Sequence, residues 1–509
     1  MNTKALRQKV LDLAIHGKLV PQNPNDESAE VLLEKIREEK AEKIKKGELK
    51  ADKKDSFIFV GSDKRHYEQF ADGTVKDIED EIPFEVPEGW AWCRLGTLSE
   101  TTDYIANGSF ADTRANVKFY KEKNYALLVK TQDFNNNFTD DLTYTDETGY
   151  NFLCKSHLFG GELLLSNIGA SIGKALIVPK FDIPMAVAPN SIVVRTTDLL
   201  ETQFLKSIML STYGQNALVA FTAGSAMPKF NKTQLRSLLI PLPTIYAQQS
   251  IISTVNTIFE TIQVIENDKD ELENLIKHTK SKILDLAIHG KLVPQDPNDE
   301  PAEELLKRIA TSDNRPYKKF DDDIPFSLPK NWEWCYLGDI CRISSAKRVL
   351  QQDWKDSGIP FYRAREIAQL SNNEKVKDDL FITPELYREL KNKYGVPISG
   401  DLMISAVGTI GKVYIVKETD CFYYKDASVI CFSKKEKSID SKYLKLCLES
   451  GFLQNQIYSQ STGTTVDTIT INKAQEYLFP LPNITEQQRI VTKIEELFSY
   501  LDTISSNLE

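Results

Sequence analysis

The stretch LDLAIHGKLVPQNPNDESAE, from Leu11 to Glu30, occurs a second time as LDLAIHGKLVPQDPNDEPAE, from Leu284 to Glu303. Eighteen of the 20 positions are identical, so the chain contains an internal duplication. Two shorter stretches repeat as well: IPFEVPEGWAWCRLG from Ile82 matches IPFSLPKNWEWCYLG from Ile324, and IPLPTIYAQQSII from Ile240 matches FPLPNITEQQRIV from Phe479. The segments between these motifs are much less alike, so the duplication keeps its framework and varies its contents.

The longest repeated element is predicted to be a helix with a coiled-coil seam. Eleven positions from Ile251 to Leu286 step alternately by four and three residues, and nine are apolar, the exceptions being Lys269 and Thr279. This spacing is typical of the a and d positions of a coiled coil. The seam covers 36 residues, or about 54 Å of helix at about 1.5 Å per residue.

The second copy of this helix is split between the chain ends. Residues 490–508 match 251–269 at an offset of 239, and residues 6–13 match 279–286 at an offset of 273. The repeat is therefore cyclic, and we expect a pseudo-twofold arrangement with both termini beside the central helix. Because an apolar seam needs a partner seam, the long helices are expected to pack antiparallel on each other.

Repeated His, Gly and Trp residues are expected to be structural. Gly17 and Gly290 are predicted to end the helices, with His16 and His289 as C-terminal caps rather than catalytic groups. Core packing, rather than base stacking, is expected for the tryptophans that open each variable segment: Trp90, Trp92, Trp332 and Trp334.

The two variable segments, residues 90–240 and 332–480, mix strand patterns with turns. LLLSNIGASIGKALIVP from Leu163 and LMISAVGTIGKVYIVK from Leu402 both predict a strand, a glycine turn and a strand. The glycine turns lack the spacing and the Ser/Thr of a Walker A phosphate loop. The predicted fold class is α/β (α+β), with two mixed-sheet domains separated by long antiparallel coiled-coil helices.

Charge permits a nucleic-acid partner without demonstrating one. The formal net charge is −10, but residues 90–240 carry 14 basic and 13 acidic side chains, and residues 332–480 carry 20 and 19. The acidic excess therefore lies outside the variable segments. Seven cysteines without C-x-x-C spacing predict a reduced, cytosolic chain with no metal site.

The order of these motifs resembles the specificity subunit of type I restriction-modification enzymes. The residues that carry the resemblance are SQSTGTTVDTITINKAQEYLFPLPNITEQQRIV (Ser459 to Val491), its weaker counterpart ending in IPLPTIYAQQSII, the PEGWAWCRLG and PKNWEWCYLG motifs, and AIHGKLVPQ after each helix. The resemblance covers nearly the whole chain. One departure is that Tyr246 and Ala247 stand where the second copy has the acidic Glu486 before its glutamines.

The resemblance implies a division of labour. In that family each variable segment is a target recognition domain that reads one half of a split site in double-stranded DNA, and the coiled coils hold the two readers about one DNA turn apart. Conserved regions dock two adenine methyltransferase subunits, which motor-nuclease subunits join. Differing variable segments then imply an asymmetric site.

Eight basic residues are candidates for DNA contact. Arg363 and Arg365 occupy a place that matches Lys130, just after a strand pattern, where a basic side chain contacts phosphate or a guanine edge. The alternative is a surface ion pair with Asp133 or Glu366. The other candidates are Lys174, Lys229, Lys347, Arg348 and Lys412.

No catalytic residue, cofactor or metal is predicted. We find no [DN]-P-P-[YF] methylation motif, no nuclease pattern and no Walker A motif. The chain is therefore expected to bind and specify, while partners carry out the chemistry. Two alternatives stay open: the recognition subunit of a related methylase-only or fused restriction system, and a coiled-coil scaffold with two protein-binding domains and no DNA role.

The motifs divide the chain into seven segments. They are a helical segment (1–45), a charged linker (46–81), recognition domain 1 (82–243), a central coiled-coil region (244–310), a second linker (311–323), recognition domain 2 (324–483) and a C-terminal helix (484–509).

Overall fold

A computed structural model describes residues 2–23, 25–48, 55–222, 228–377, 379–435, 439–461 and 467–508. The chain forms two compact units, unit 1 (residues 1–267) and unit 2 (residues 268–509). Their boundary falls within one long helix, so each unit contains one LDLAIHGK motif and one P-L-P motif.

Unit 1 combines helices with several small sheets. Its helices are α1 (Thr3–Ile15), α2 (Ala29–Lys45), α3 (Leu95–Leu98), α4 (Phe110–Asn116), α5 (Glu147–Phe152), α6 (Thr202–Leu210), α7 (Thr212–Ala220), α8 (Lys232–Arg236) and the first part of α9 (Ile245–Ile288). Its strands are β1 (Ser56–Val60), β2 (His66–Phe70), β3 (Val75–Asp77), β4 (Ala91–Arg94), β5 (Ser99–Asp103), β6 (Ala126–Val129), β7 (Tyr144–Thr145), β8 (His157–Leu158), β9 (Leu163–Ser166), β10 (Ala175–Ile177), β11 (Met185–Val187), β12 (Ser191–Thr196) and β13 (Leu239–Leu242).

Unit 2 repeats much of this order. Its helices are the last part of α9, α10 (Ala302–Ser312), α11 (Leu337–Ile340), α12 (Ala364–Ser371), α13 (Pro384–Tyr394), α14 (Ser441–Glu449), α15 (Gly451–Ser459), α16 (Ile471–Gln475) and α17 (Ile484–Ser506). Its strands are β14 (Glu333–Tyr336), β15 (Cys341–Ser344), β16 (Ile359–Tyr362), β17 (Phe381–Ile382), β18 (Leu402–Ser405), β19 (Val413–Ile415), β20 (Tyr423–Tyr424), β21 (Val429–Lys434) and β22 (Leu478–Leu481).

The sheets are mixed, as predicted. Unit 1 has sheets of order β10-β9-β12-β5 and β7-β6-β11-β8, and unit 2 has β15-β21-β18-β19 and β17-β16-β20. Strands β6 and β11 pair in parallel, as do β16 and β20. Both predicted strand, glycine turn, strand patterns form antiparallel pairs, β9 with β10 and β18 with β19. The α/β class is therefore confirmed.

The two helix-ending glycines adopt the left-handed conformation that a C-terminal cap requires. Gly17 has φ +65° and Gly290 has φ +64°. The Gly17 N–H donates to Ala14 O at 3.2 Å, and the next N–H, of Lys18, donates to Leu13 O at 2.9 Å. This is the Schellman pattern, and the same pair of bonds follows α9. The expected helix ends are confirmed.

The cap histidines and the tryptophans form one packed cluster in each unit. The His16 ring stacks on Phe84 with centroids 3.9 Å apart, and His289 stacks on Phe326 at 3.8 Å. Both histidines bond through Nδ1 to the carbonyl four residues earlier, at 2.6 Å. The expected core positions are confirmed, because each tryptophan is less than a tenth exposed: Trp90, Trp92, Trp332 and Trp334.

In each unit, part of α9 contacts a helix from one end of the chain, α1 in unit 1 and α17 in unit 2. In unit 1, the Arg7 guanidinium of α1 lies 2.9 Å from Glu266 and 5.1 Å above the Phe259 ring of α9. In unit 2, Lys280 of α9 pairs with Asp502 of α17. Ten of the eleven predicted seam positions are at least partly buried, and the exception, Ile265, is 40% exposed.

The segment 46–81, expected to be a linker, contains the antiparallel sheet β1-β2-β3. Ile58 and Ile78 pack with Trp92 and Leu239 in a small core of their own. The second expected linker, 311–323, has no strand among its residues, all of which the structure describes. This sheet therefore distinguishes unit 1 from unit 2.

Candidate functional site

In each unit, the backbone of the glycine turn is hydrogen-bonded to the segment that connects two helices, α7 and α8 in unit 1 and α15 and α16 in unit 2. In unit 1, Gly169 N–H donates to Pro228 O at 3.0 Å, and Phe230 N–H donates to Asn167 O at 3.2 Å. In unit 2, the equivalent bonds are Gly408 N–H to Asp467 O at 3.2 Å and Ile469 N–H to Ala406 O at 2.9 Å. The backbone frame is thus the same in both units. The GT-rich turn at 462–466 and its counterpart at 223–227 lie outside the described residues.

The glycine turns carry exposed lysines at matching places. Lys174 and Lys412 each follow a glycine with positive φ, Gly173 and Gly411. A glutamine amide donates to the carbonyl of each glycine, at 2.9 and 3.3 Å respectively. The turns are held as connections between strands, with the lysines at the surface.

A cleft of about 90 Å³ lies beside the turn of unit 1. Asn167, Asn190 and Lys229 line it together with Tyr104, Phe110 and the acidic Asp103. Lys229 therefore lies close to the turn, as its backbone bridge with Ile168 also shows. Amide, ammonium and aromatic groups on one surface can hydrogen-bond and stack on a nucleic acid.

A larger cleft, of about 360 Å³, lies beside the glycine turn of unit 2. Arg365, Gln369 and Asn372 of one wall face Val407 and Thr409 of the glycine turn. The structure thus brings Arg365 to the turn that carries Lys412. Both clefts lie beside a glycine turn, but their other walls come from different elements and present different polar groups.

Arg363 and Arg365 share two carboxylates. Arg363 Nη2 lies 2.9 Å from Glu366 Oε1, and both guanidinium groups lie 2.6 Å from Asp379. Glu366 is 2% exposed. Burial opposes its ionisation, but hydrogen bonds from Arg363 and Arg365 outweigh that effect and lower the pKa of Glu366. The arginines are therefore held in ion pairs, the alternative expected for them.

Lys130 is held in a similar way. Its Nζ lies 3.5 Å from Asp133 and donates to Asp141 O at 3.0 Å and to Thr143 Oγ1 at 3.1 Å. Burial raises the pKa of Asp133, although the Lys130 amide and ammonium oppose that shift. The Lys130 ammonium thus holds the segment that follows β6 through these contacts. Part of its side chain remains exposed to solvent.

Lys347 and Arg348 are exposed on the segment after β15. The Lys347 N–H donates to Tyr423 Oη at 3.1 Å, and its ammonium lies 5.6 Å from the Tyr394 ring centroid. Neither residue lines the cleft of unit 2. DNA contact stays a prediction for these two residues, as it does for the other six candidates.

Sequence reasoning missed the amide residues of the clefts. The repeat alignment could have identified Asn167, because Ala406 stands at the equivalent position when GELLLSNIG is aligned with GDLMISAVG. Gln369 and Asn372 lie on or beside α12, which the alignment of the repeats does not cover. Among the described residues, no group of three or more His, Cys, Asp or Glu side chains could hold a metal ion.

Comparison with known proteins identifies the family. A family model described as the type I restriction modification DNA specificity domain matches residues 87–274 and 329–509. The chain belongs to this family. Each matched segment contains one variable segment with its glycine turn and cleft, so both units carry a specificity domain.

Relatives of the specificity family match almost the whole chain. The EcoAI type I restriction enzyme specificity subunit of Escherichia coli is 28% identical, over 97% of this chain and 88% of the relative. The EcoEI specificity subunit of Escherichia coli is 26% identical, over 99% and 91%. A solved chain from work on assembly and conformational transition of the type I R-M system has a TM-score of 0.53 at 17% identity, over 84% of this chain and 94% of that one. That likeness concerns the fold alone. In the described part of the chain, no helix has the length and apolar character needed to cross a membrane.

Proposed function

We propose that this chain is the DNA sequence-specificity subunit of a type I restriction-modification system and acts in the cytoplasm. The observation that carries the proposal is one backbone frame with two different clefts. Asn167 and Lys229 line the cleft of unit 1, and Arg365 lines the cleft of unit 2. Because amide and guanidinium groups favour different base edges in the major groove, two such readers suit an asymmetric, bipartite DNA site.

In this proposal, residues 82–243 and 324–483 are the two target recognition domains, each reading one half-site. The basic candidates divide into two roles. Lys174 and Lys412, exposed on equivalent turns, contact phosphates and fix the register of each domain. Lys229 and Arg365 lie in the clefts and approach base edges, while Lys130, Lys347, Arg348 and Arg363 support the same surfaces.

The long helices set the distance between the half-sites. Helix α9 has 44 residues and is about 66 Å long at about 1.5 Å per residue. It is therefore long enough to span one turn of B-DNA, which is about 34–36 Å. We propose that α9, with α1 and α17 packed along it as antiparallel coiled coils, relates the two domains by a pseudo-twofold axis. The two half-sites then face the same side of the duplex.

The catalytic steps belong to partners in this proposal. Two adenine methyltransferase subunits dock on the conserved helical regions, and motor-nuclease subunits join that core. The support is that relatives matching almost the whole chain are named as specificity subunits of type I restriction enzymes. Sequence-selective placement on DNA is the part that this chain contributes.

Mapping adenine methylation in the source strain, with and without this gene, tests the proposal. We expect deletion to abolish methylation at one asymmetric, split motif, and the intact gene to restore it. A K174A/K412A double variant should reduce methylation of that motif without changing its sequence, whereas K46A, on the exposed end of α2, should not. Unchanged methylation in a strain that expresses both the chain and a methyltransferase would contradict the proposal.

Binding to duplex DNA separates this function from a protein-binding scaffold. A specificity subunit loses affinity steeply as salt rises, because phosphate contacts release counterions. We expect the complex with the methyltransferase to bind the mapped motif more tightly than a scrambled duplex at every salt concentration. Equal binding to both duplexes would favour the scaffold.

A further inference from the structure

Helix α12 presents one face to the cleft of unit 2. The residues of this face that line the cleft are Ala364, Arg365, Ala368, Gln369 and, just beyond the helix, Asn372. At 3.6 residues per turn, they fall within about 140° of the helix circumference. The other side of the helix faces the core, where Ile367 is fully buried and Leu370 packs beside it. The side chains on the cleft face therefore point away from the core.

Helix α12 stands where unit 1 has only a short turn, although the strands beneath it repeat. Strand β16 pairs in parallel with β20, as β6 does with β11. The segment after β6 forms a single 3₁₀ turn, Asp133–Asn136, whereas α12 follows β16. The buried carboxylate of Glu366 accepts a hydrogen bond from the Arg363 N–H at 2.8 Å and fixes the start of α12. A shared frame thus carries a firmly held helix in one unit.

Gln369 carries an accessible amide without a partner on this face. It has no hydrogen-bond partner among the described residues, and both polar atoms of its side chain are open to solvent. The polar side chains on either side of it are already paired. Arg365 lies 2.6 Å from Asp379, and Asn372 Nδ2 donates to Glu374 at 3.0 Å. The Gln369 amide is therefore the group on this face that is free to bind a ligand.

The composition of the cleft suits a base pair better than a phosphate. Arg365 and Glu374 both line it, so their charges offset each other and the carboxylate repels a phosphate group. The methyl groups of Ala368 and Thr409 belong to the same lining. Methyl groups of alanine and threonine are suited to contact the C5 methyl of thymine. An amide beside methyl groups therefore matches an A·T pair.

We infer that Gln369 is a specificity-determining residue, and that its amide reads an adenine in the half-site of unit 2. This inference rests on the proposed function and deepens it. In the major groove, adenine presents the N7 acceptor beside the N6 donor, and a glutamine amide matches them with Nε2 and Oε1. Guanine presents two acceptors at these places, so only one of the two bonds forms. The cleft therefore favours adenine over guanine.

The test compares the native complex with a Q369A complex, each containing the methyltransferase, in selection from a randomised duplex library. The native complex should select a split motif with an A·T pair at a position that depends on Gln369. Q369A should lower the preference for that pair by about tenfold to a hundredfold and leave the other half-site unchanged. N392A, which removes an exposed amide on α13 of the same unit, is the matched control and should select the native motif.

Base analogues then test the contact on the native complex itself. At the selected adenine, 7-deazaadenine removes the N7 acceptor and purine removes the N6 amine. Each analogue should weaken native binding and leave Q369A binding unchanged. Thermal unfolding should give Q369A the native Tm, because alanine favours a helix and the Gln369 amide makes no hydrogen bond within the described part of the chain.

Three results would overturn the inference: identical motifs for the native and Q369A complexes, a loss spread over both half-sites, or full native binding to both analogues. A native complex that selects no motif would instead overturn the proposed function.

Discussion

Trp332 Nε1 donates a 2.9 Å hydrogen bond to the buried carboxylate of Glu486, which also accepts one from the Gln295 amide. Unit 1 has Ala247 in place of that glutamate, and there Trp90 Nε1 donates directly to Gln22 Oε1 at 2.8 Å. The indole N–H of the equivalent tryptophan therefore has an acceptor in both units, a carboxylate oxygen in unit 2 and a glutamine oxygen in unit 1. The departure from the family pattern at residues 246 and 247 has a local compensation, in which the glutamine takes the place of the carboxylate.

Replacing Glu486 by alanine should destabilise unit 2 only moderately. Gln295 can turn its carbonyl oxygen to Trp332, as Gln22 does for Trp90, so we expect E486A to lower the free energy of unfolding by about 1–2 kcal/mol. The E486A/Q295A double variant leaves the indole N–H without an acceptor, and its loss should exceed the sum of the two single losses. Denaturant unfolding of the four proteins measures this coupling. Additive losses would mean that the glutamine does not substitute for the carboxylate.

The same carboxyl group makes stability depend on pH. Burial raises the pKa of Glu486 above its usual 4.5, although the Trp332 and Gln295 donors oppose that shift. The folded chain therefore holds this proton more tightly than the unfolded chain. Its contribution to stability is present at low pH and is lost as pH rises through the folded pKa. The Tm of the native chain should thus fall relative to that of E486Q as pH rises from about 4 towards 7. Parallel Tm curves would contradict the assignment.

Gly17 is predicted to be intolerant of any side chain. Its φ of +65° is unfavourable for other residues, and a Cβ would lie 2.3 Å from Pro87 Cγ. G17A should therefore cost more than the roughly 1–2 kcal/mol of left-handed strain alone. Gly47 is the matched control, because it ends α2 with φ +78° and a Cβ there would meet no atom within 4 Å. Thermal unfolding should give a clearly larger Tm loss for G17A than for G47A. Equal losses would show that the contact with Pro87 relaxes at little cost.

The sequence predicts those features whose cause is local or repeated. Schellman caps follow from glycine spacing, and the strand pairs around the glycine turns follow from apolar runs. The sheet β1-β2-β3 escaped prediction because distant residues stabilise it. Its Ile58 packs on Trp92, and the buried carboxylate of Glu68 pairs with Arg94 at 2.7 Å. The clefts escaped for the same reason, since each combines a glycine turn with a wall from elsewhere in its unit.

Asp379 makes contacts that local sequence patterns do not predict. It lies 14 residues after Arg365, yet it accepts hydrogen bonds from both Arg363 and Arg365 at 2.6 Å. Hydrogen bonds from Arg365 and the charges of both arginines outweigh desolvation and lower the pKa of Asp379, so the carboxylate stays charged at neutral pH. In the proposed function, this carboxylate competes with DNA for the two arginines.

Removing this charge should strengthen DNA binding. With D379N, Glu366 still orients the arginines while the cluster gains one net positive charge. We expect DNA affinity at low salt to rise severalfold and the slope of log K against log salt to steepen by about one. R365A should change both quantities in the opposite direction. E385Q, which removes an exposed acid paired with Arg388 at 2.9 Å in the same unit, is the matched control. If D379N bound more weakly than the native complex, Asp379 would instead be needed to position Arg365 for its base.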